Sequence, residues 1–207
     1  MRIEPSTRRV GVLLSGRGSN FRAIADNIES GALDAEVALV LANRADAAGL
    51  GEARRRGLET LCLPSKGQSR EANTLSVLGA LEGRGVSLVC LAGFMRVLGS
   101  DFVRAFPWGI LNIHPSLLPA FPGLDVQRQA LEHGVRFSGC TVHFVDESLD
   151  GGPIVAQAVV PVLGGDTVEA LSERILREEH RIYTEAIRAV LDGRCEIVGR
   201  RVIVHEG

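Results

Sequence analysis

The sequence has little that would suit it to an oxidising compartment or a charged polymer. Its four cysteines, Cys62, Cys90, Cys140 and Cys195, are far apart and form no C-x-x-C pair, which argues against a zinc cluster or a secreted disulfide framework. No apolar run reaches the roughly 18 residues needed to span a bilayer. Met1 to Arg9 is polar and has no apolar signal-peptide segment. Charge of one sign is missing too: 23 basic against 25 acidic side chains leave a net charge of −2, so nothing draws the whole chain to nucleic acid or an anionic membrane. Lys66 is the only lysine, which a biased genome composition explains as well as any function does. The histidines show no H-E-x-x-H or comparable spacing. A cytoplasmic protein is expected, with no metal, nucleic acid or membrane among its partners.

What is present is an ordinary folded composition, 45% apolar and 23% charged over 207 residues, enough for one domain with a sizeable core. Glycine alone is in excess, with 24 residues, or about 12% against a usual 7%. Short apolar runs at Val10 to Leu14, Val37 to Ala42, Thr60 to Leu63, Ser87 to Ala92 and Ile110 to Ile113 read as strands. They alternate with helical patterns at Phe21 to Ile28, Ala47 to Arg56 and Glu71 to Leu81. Strands apolar on both faces between helices predict an α/β fold with a parallel sheet. After Pro115 the pattern changes. It gives a helix at Asp125 to Glu132, strands at Cys140 to Val145 and Ile154 to Val162, an amphipathic helix at Thr167 to Leu191 and an edge hairpin at Cys195 to Val204.

Between the first strand and the first helix lies Ser15-Gly16-Arg17-Gly18-Ser19-Asn20, where backbone N–H groups and a helix N-terminus can hold a phosphate. A dinucleotide fingerprint needs a third glycine where Phe21 stands and an acidic residue near Asn43, and an ATPase loop needs G-K-[ST]. What survives is a single phosphate at Gly18, Ser19 and Asn20. The loop by itself fits equally well a tight turn with Ser19 or Asn20 as helix cap.

Asn112 and His114, two apart on an apolar strand, share one face at the carboxyl end of the strand, where α/β sheets bind ligands. Asp150-Gly151-Gly152-Pro153 turns sharply and presents Asp150. Separately, each fits a structural role: a satisfied pair of core polar groups, and a good turn. Together they suggest acyl-transfer chemistry without a covalent nucleophile. A carboxylate beside an imidazole favours its proton-donating form, and the Asn amide stabilises an oxyanion. Ser116 lacks the G-x-S-x-G context of a hydrolase nucleophile.

Five motifs in order resemble the folate-dependent phosphoribosylglycinamide formyltransferase family. They are Ser15 to Asn20, Ala92-Gly93-Phe94-Met95-Arg96, Leu111 to Pro119, Thr141-Val142-His143-Phe144-Val145, and Leu149 to Pro153. The resemblance covers about Arg9 to Gly193. It implies a single-domain Rossmann-like formyltransferase fold, a mostly parallel central sheet flanked by helices with an antiparallel C-terminal part. The implied division is a polar leader over 1–8, a mononucleotide-binding half over 9–114, and a folate-binding and C-terminal half over 115–207.

The implied reaction is attack of the glycinamide ribonucleotide amine on the formyl group of 10-formyltetrahydrofolate, in de novo purine biosynthesis, by a monomer or homodimer. Asn112, His114 and Asp150 would be catalytic, and Gly18, Ser19 and Asn20 would hold the phosphate. Glu179 would help hold the glycinamide part. Arg70 and the backbone of Met95, Arg96, Val97 and Leu98 would contact the folate, with Asn112. The loop of Asp146, Glu147, Ser148, Leu149 and Asp150 would wrap its pterin end.

Departures from the family pattern are few. Ala120 and Phe121 replace a more usual Lys-Tyr pair, which points to looser substrate contacts there. Arg17, at a variable position, adds charge to the loop. Met1 to Thr7 have no role the resemblance supplies. His133, His143 and His205 read as structural or tail residues, and Arg54-Arg55-Arg56 as a solvated helix end.

Three rivals remain. Formyltetrahydrofolate hydrolases share the Asn-x-His and Asp parts but pass the formyl group to water. They carry an N-terminal regulatory domain that this sequence does not show, and tend to His-His-Ser in place of His114-Pro115-Ser116. Methionyl-tRNA formyltransferases add a basic tRNA domain, for which 207 residues at net −2 leave no place. A non-catalytic mononucleotide- or folate-binding module would bind without turnover.

Overall fold

Apolar runs without polar alternation must be buried on both faces, and five of them form the parallel part of one sheet. In a computed structural model, which describes residues 1–64 and 69–206, these are β1 (Arg9–Leu14), β2 (Glu36–Ala42), β3 (Thr60–Cys62), β4 (Leu88–Leu91) and β5 (Ile110–His114). They pair in the order β3-β2-β1-β4-β5. The helices between them are α1 (Ser19–Glu29), α2 (Ala48–Arg55), α3 (Arg70–Glu82) and α4 (Ser100–Ala105). Val12, Leu14, Val40 and Cys90 pack under α1 and α2, while Leu13, Leu41, Val89 and Ile110 pack under α3 and α4. The chain leaves β1 for one neighbour and later returns on its other side at β4. The carboxyl ends of β1 and β4 therefore flank a topological switch point, where such sheets bind ligands.

Beyond β5 come α5 (Val126–Glu132), β6 (Phe137–Phe144), β7 (Ile154–Pro161), α6 (Val168–Leu191), β8 (Cys195–Val198) and β9 (Arg201–Val204). β6 pairs antiparallel with β5 and with β7, and the β8–β9 hairpin joins through a parallel bridge from Ile154 to Arg201. Among the described residues, nine strands thus make one sheet, mostly parallel in its first half and antiparallel in its second.

α6 opens on Thr167, whose side chain accepts from Ala170 N–H. It buries Leu171, Ile175, Tyr183, Ile187 and Val190, a helical stripe. Tyr183 Oη lies 3.0 Å from both the Leu91 and the Leu111 carbonyl oxygens, fixing α6 against β4 and β5. The polar leader is built in as well: Ile3 N–H donates to the Cys195 carbonyl at 2.9 Å, and Arg2 bridges to Glu196. Among the described residues no helix is long and apolar enough to cross a membrane.

Candidate active site

The loop after β1 turns into α1 through Gly18, at φ 70°. A Cβ there would lie 2.9 Å from Gly49 Cα, so both the backbone conformation and the close approach of α2 require glycine. Gly18 is the N-cap of α1, with no side-chain hydrogen bond capping the helix. The alternative reading, with Ser19 or Asn20 as the helix cap, does not hold. Asn20 Nδ2 instead donates to Glu179 Oε2 at 2.7 Å, which ties the loop to α6. Asn20 Oδ1 is buried without a protein partner, a free acceptor beside the loop. Burial pushes the Glu179 carboxyl above its ordinary value, and the Asn20 hydrogen bond opposes that only in part. The Asn20–Glu179 bond thus sets Glu179 beside the loop of Gly18, Ser19 and Asn20. Arg17 is exposed beside it.

Ser15, just before this loop, joins three strand ends. Its Oγ donates to Asn43 Oδ1 at 2.6 Å and accepts the Met95 N–H at 2.8 Å. The side chain that ends β2 without a carboxylate is thus used to hold the segment Met95 to Leu98. Met95 and Val97 are exposed.

Leu111 and Ile113 face the core shared with α6, so strand alternation puts Asn112 and His114 on the opposite face. His114 is buried. Its Nε2 donates to the Phe121 carbonyl at 2.9 Å, and its Nδ1 lies 3.5 Å from Asp150 Oδ2. The carbonyl can only accept, so Nδ1 is the nitrogen left to exchange a proton with Asp150 or a substrate. Asp150 Oδ2 also accepts the Gly123 N–H at 2.9 Å. Asp150 sits at φ 50°, uncommon for a residue with a side chain. A Cβ on Gly152 would lie 1.8 Å from the Phe144 carbonyl oxygen, so the turn that presents Asp150 closes only with glycine there.

The replacement of Lys-Tyr by Ala120 and Phe121 leaves this part intact, because it is built from backbone. The carbonyls of Ala120 and Phe121 lie 2.6 and 3.0 Å from Ser116 Oγ. That hydroxyl is accordingly committed and not poised as a nucleophile. The Phe121 ring packs edge-on against His133.

His143, read from the sequence as a structural strand residue, lies in the same cluster. It pairs with Asn112 across β5 and β6. Its Nδ1 donates to the Phe144 carbonyl at 2.9 Å, so its Nε2 accepts from Asn112 Nδ2 at 3.1 Å, and that nitrogen lies 3.9 Å from Asp150 Oδ1. Burial lowers its pKa, against the Phe144 carbonyl and the Asp150 charge, which suits this neutral tautomer. The imidazole fixes the Asn112 amide with one N–H spent and the other available. A polar residue directly opposite Asn112 in the antiparallel register was the signal that could have found it.

The loop Asp146 to Asp150 runs from β6 into the turn. Asp146 Oδ1 accepts the Ser148 N–H at 2.8 Å and also the Ser148 hydroxyl. Glu147 pairs with Arg104 of α4 at 3.2 Å, and Leu149 is exposed. Glu147, Val97 and Leu98 line one recess of about 340 Å³, which brings the two expected folate segments together. Arg70 opens α3, but its side chain lies outside the described residues.

Similarity to known proteins places the chain in a family. Residues 8–187 match the formyl transferase family model. The chain is 44% identical over 187 residues to the phosphoribosylglycinamide formyltransferase of Escherichia coli (strain K12), covering 90% of this chain and 88% of that protein. It is also 44% identical over 192 residues to the trifunctional purine biosynthetic protein adenosine-3 of Bos taurus, covering 92% of this chain but only 19% of that relative. It spans between 14% and 20% of the length of such multifunctional relatives. Among solved structures, glycinamide ribonucleotide transformylase 1 from Symbiobacterium toebii aligns with a TM-score of 0.94 at 55% identity, over 96% of this chain and 94% of that one.

Proposed function

Because the chain belongs to the formyl transferase family, we propose that it transfers the formyl group of 10-formyltetrahydrofolate to the amine of glycinamide ribonucleotide. The observation that carries this reading is the cluster of Asn112, His114 and Asp150, with Nδ1 of His114 facing the carboxylate at 3.5 Å. The ribose phosphate sits on the backbone of Gly18, Ser19 and Asn20 at the uncapped start of α1. Glu179, an acceptor held by Asn20, takes a donor of the glycinamide part. The exposed apolar side chains of Met95, Val97 and Leu149 and the backbone between them fit a flat heteroaromatic ring. The folate supplies the formyl carbon and a nitrogen leaving group.

The amine attacks the formyl carbon, a new C–N bond forms, and the bond from that carbon to the folate nitrogen breaks. One proton passes from the attacking nitrogen to the departing one. Asn112 uses its remaining amide N–H on the developing oxyanion, and His114 Nδ1 donates toward it. Such preorganised donors are worth about 100-fold or more each. Asp150, whose Oδ2 faces that nitrogen at 3.5 Å, takes the proton from the attacking nitrogen and passes it on to the departing one.

The division into a mononucleotide half over 9–114 and a folate half over 115–207 is part of this reading, crossed by Met95 to Leu98, which serve the folate from the first half, and by Glu179, which serves the glycinamide from the second. The same reading puts the enzyme in the cytosol, where its four free cysteines stay reduced.

The test is turnover by the purified chain. Conversion of 10-formyltetrahydrofolate to tetrahydrofolate is expected only when glycinamide ribonucleotide is present. Equal turnover without the nucleotide would make it a hydrolase, and binding of both ligands with no turnover would make it a binding module.

A further inference from the structure

The turn carrying Asp150 is held unevenly. On its entry side the Asp150 carboxylate accepts from Gly123, and on its exit side Phe144 N–H donates to the Pro153 carbonyl at 2.9 Å. The peptide between Gly151 and Gly152 has a glycine on each side, and such a peptide rotates more freely than any other. Gly152 packs on the Phe144 carbonyl on one side, but on the other Asp150, Gly151 and Gly152 border a cavity of about 440 Å³ shared with Pro119, Gln157 and Arg200. On that open side the Gly151 carbonyl is held by a hydrogen bond: Arg200 Nη2 donates to it at 2.8 Å.

Arg200 arrives there through two local features. It occupies the tip of the β8–β9 hairpin after Gly199, whose φ is 62°, and the Ile154–Arg201 bridge docks that hairpin directly beyond the turn. It also lies outside residues 8–187, the part matched by the family model.

We propose that Arg200 is a positioning residue for formyl transfer. By pinning the Gly151 carbonyl it prevents rotation of the glycine–glycine peptide and keeps Asp150 in its φ 50° conformation, with the carboxylate aimed at His114. The C-terminal hairpin thereby becomes part of the catalytic apparatus without touching either substrate. The inference rests on the transferase reading for its rate effect, but the clamp itself is a property of the chain without ligands.

Arg200→Ala and Arg200→Lys in the full chain test both parts. Arg200→Ala is expected to melt as wild type does, since the side chain is exposed. Its kcat should fall about five- to tenfold, the scale of one ordinary hydrogen bond, since this one is exposed to solvent, with KM for either substrate within about twofold. Lysine, which also supplies a positively charged donor, should restore most of the rate. Measured without substrates, amide exchange over residues 149–152 should be faster in Arg200→Ala than in wild type. Unchanged exchange overturns the clamp, and faster exchange with unchanged kcat overturns its catalytic role. A wild-type chain that fails to transfer formyl would defeat the functional reading, leaving the exchange measurement to decide the clamp.

Discussion

At the proposed nucleotide end of the site polar groups are buried in the chain without ligands, with Asn20 and Glu179 each 7% exposed. At the proposed folate end apolar groups stand in water, with Met95 68% and Leu149 64% exposed. The first end costs stability, because a carboxylate is taken out of solvent with one hydrogen bond to offset it. The second leaves apolar surface uncovered, which a planar co-substrate can cover on binding. On the proposed reading, substrate specificity is built into the fold at one end and completed by the ligand at the other. Asn112, His114 and Asp150 lie where the strand carrying Asn112 and His114 meets the loop carrying Asp150, and they belong to neither pattern. Asp150 is only 13% exposed at its side chain, yet it is presented by an exposed loop.

The largest effects are expected at that junction. His114→Ala removes the group that donates to the oxyanion, and Asp150→Asn removes the proton acceptor opposite Nδ1. Each should lower kcat at least about 100-fold while changing KM for either substrate far less, because the two binding ends stay intact. Steady-state kinetics with both substrates varied decides this. A near-normal kcat in either variant would remove the catalytic assignment, and a loss confined to one KM would move that residue into a binding end.

The next effect separates the two ends. Glu179→Gln keeps an acceptor oxygen for Asn20 Nδ2 and removes the buried charge. KM for glycinamide ribonucleotide should rise roughly tenfold, the worth of a charged over a neutral hydrogen bond, with KM for the folate unchanged. Stability should move the other way. Burial raises the Glu179 pKa, so its contribution is fully present below the ordinary carboxyl value and is lost as pH rises through the folded value. At neutral pH the glutamine variant should therefore melt higher than wild type, and the gap should close toward pH 4.5. A variant no more stable at neutral pH would mean that the carboxylate is not paid for by the fold.

The contrast between the ends also explains what could be read from the sequence. Apolar runs and glycine stops located β1, β2, α1, α2 and α6 to within a residue or two at each end, because burial on both faces or along one stripe leaves a periodic record. α4, at only six residues, carries too short a pattern. β6 begins at Phe137, before the expected Cys140, because Gly139 weakens the strand signal although the Ala158 backbone packs directly against it. Asn112, His114 and Asp150 were legible because polar residues stood out at an apolar strand end and beside paired glycines. Ser15, His143 and Arg200 were not. Their roles arise from partners 28 to 80 residues distant, or from a strand register and a hairpin dock, and neither exists in the local pattern.

The smallest predicted effect concerns His143, which supports the junction without facing a substrate. As a neutral imidazole it accepts from Asn112 Nδ2 at 3.1 Å. Protonation would place an N–H against an N–H and release the amide. The groups around it pull in both directions, Asp150 and Asp146 favouring the charged form and His114 opposing it, but burial dominates and lowers its pKa from 6.5. Its contribution to stability is therefore present above the ordinary value and lost as pH falls through the folded one. His180, lowered chiefly by burial and by the Arg22 charge, titrates in the same window, so the informative quantity is a difference between variants. His143→Ala should lower kcat only about fivefold, one neutral hydrogen bond of roughly 1 kcal/mol. His143→Gln can present an acceptor oxygen that does not titrate. It should keep most of the rate and show a flatter fall in Tm below pH 6.5 than wild type. An equally steep acid fall in His143→Gln would assign that loss to His180, and an unaltered kcat in His143→Ala would show that Asn112 holds its orientation unaided.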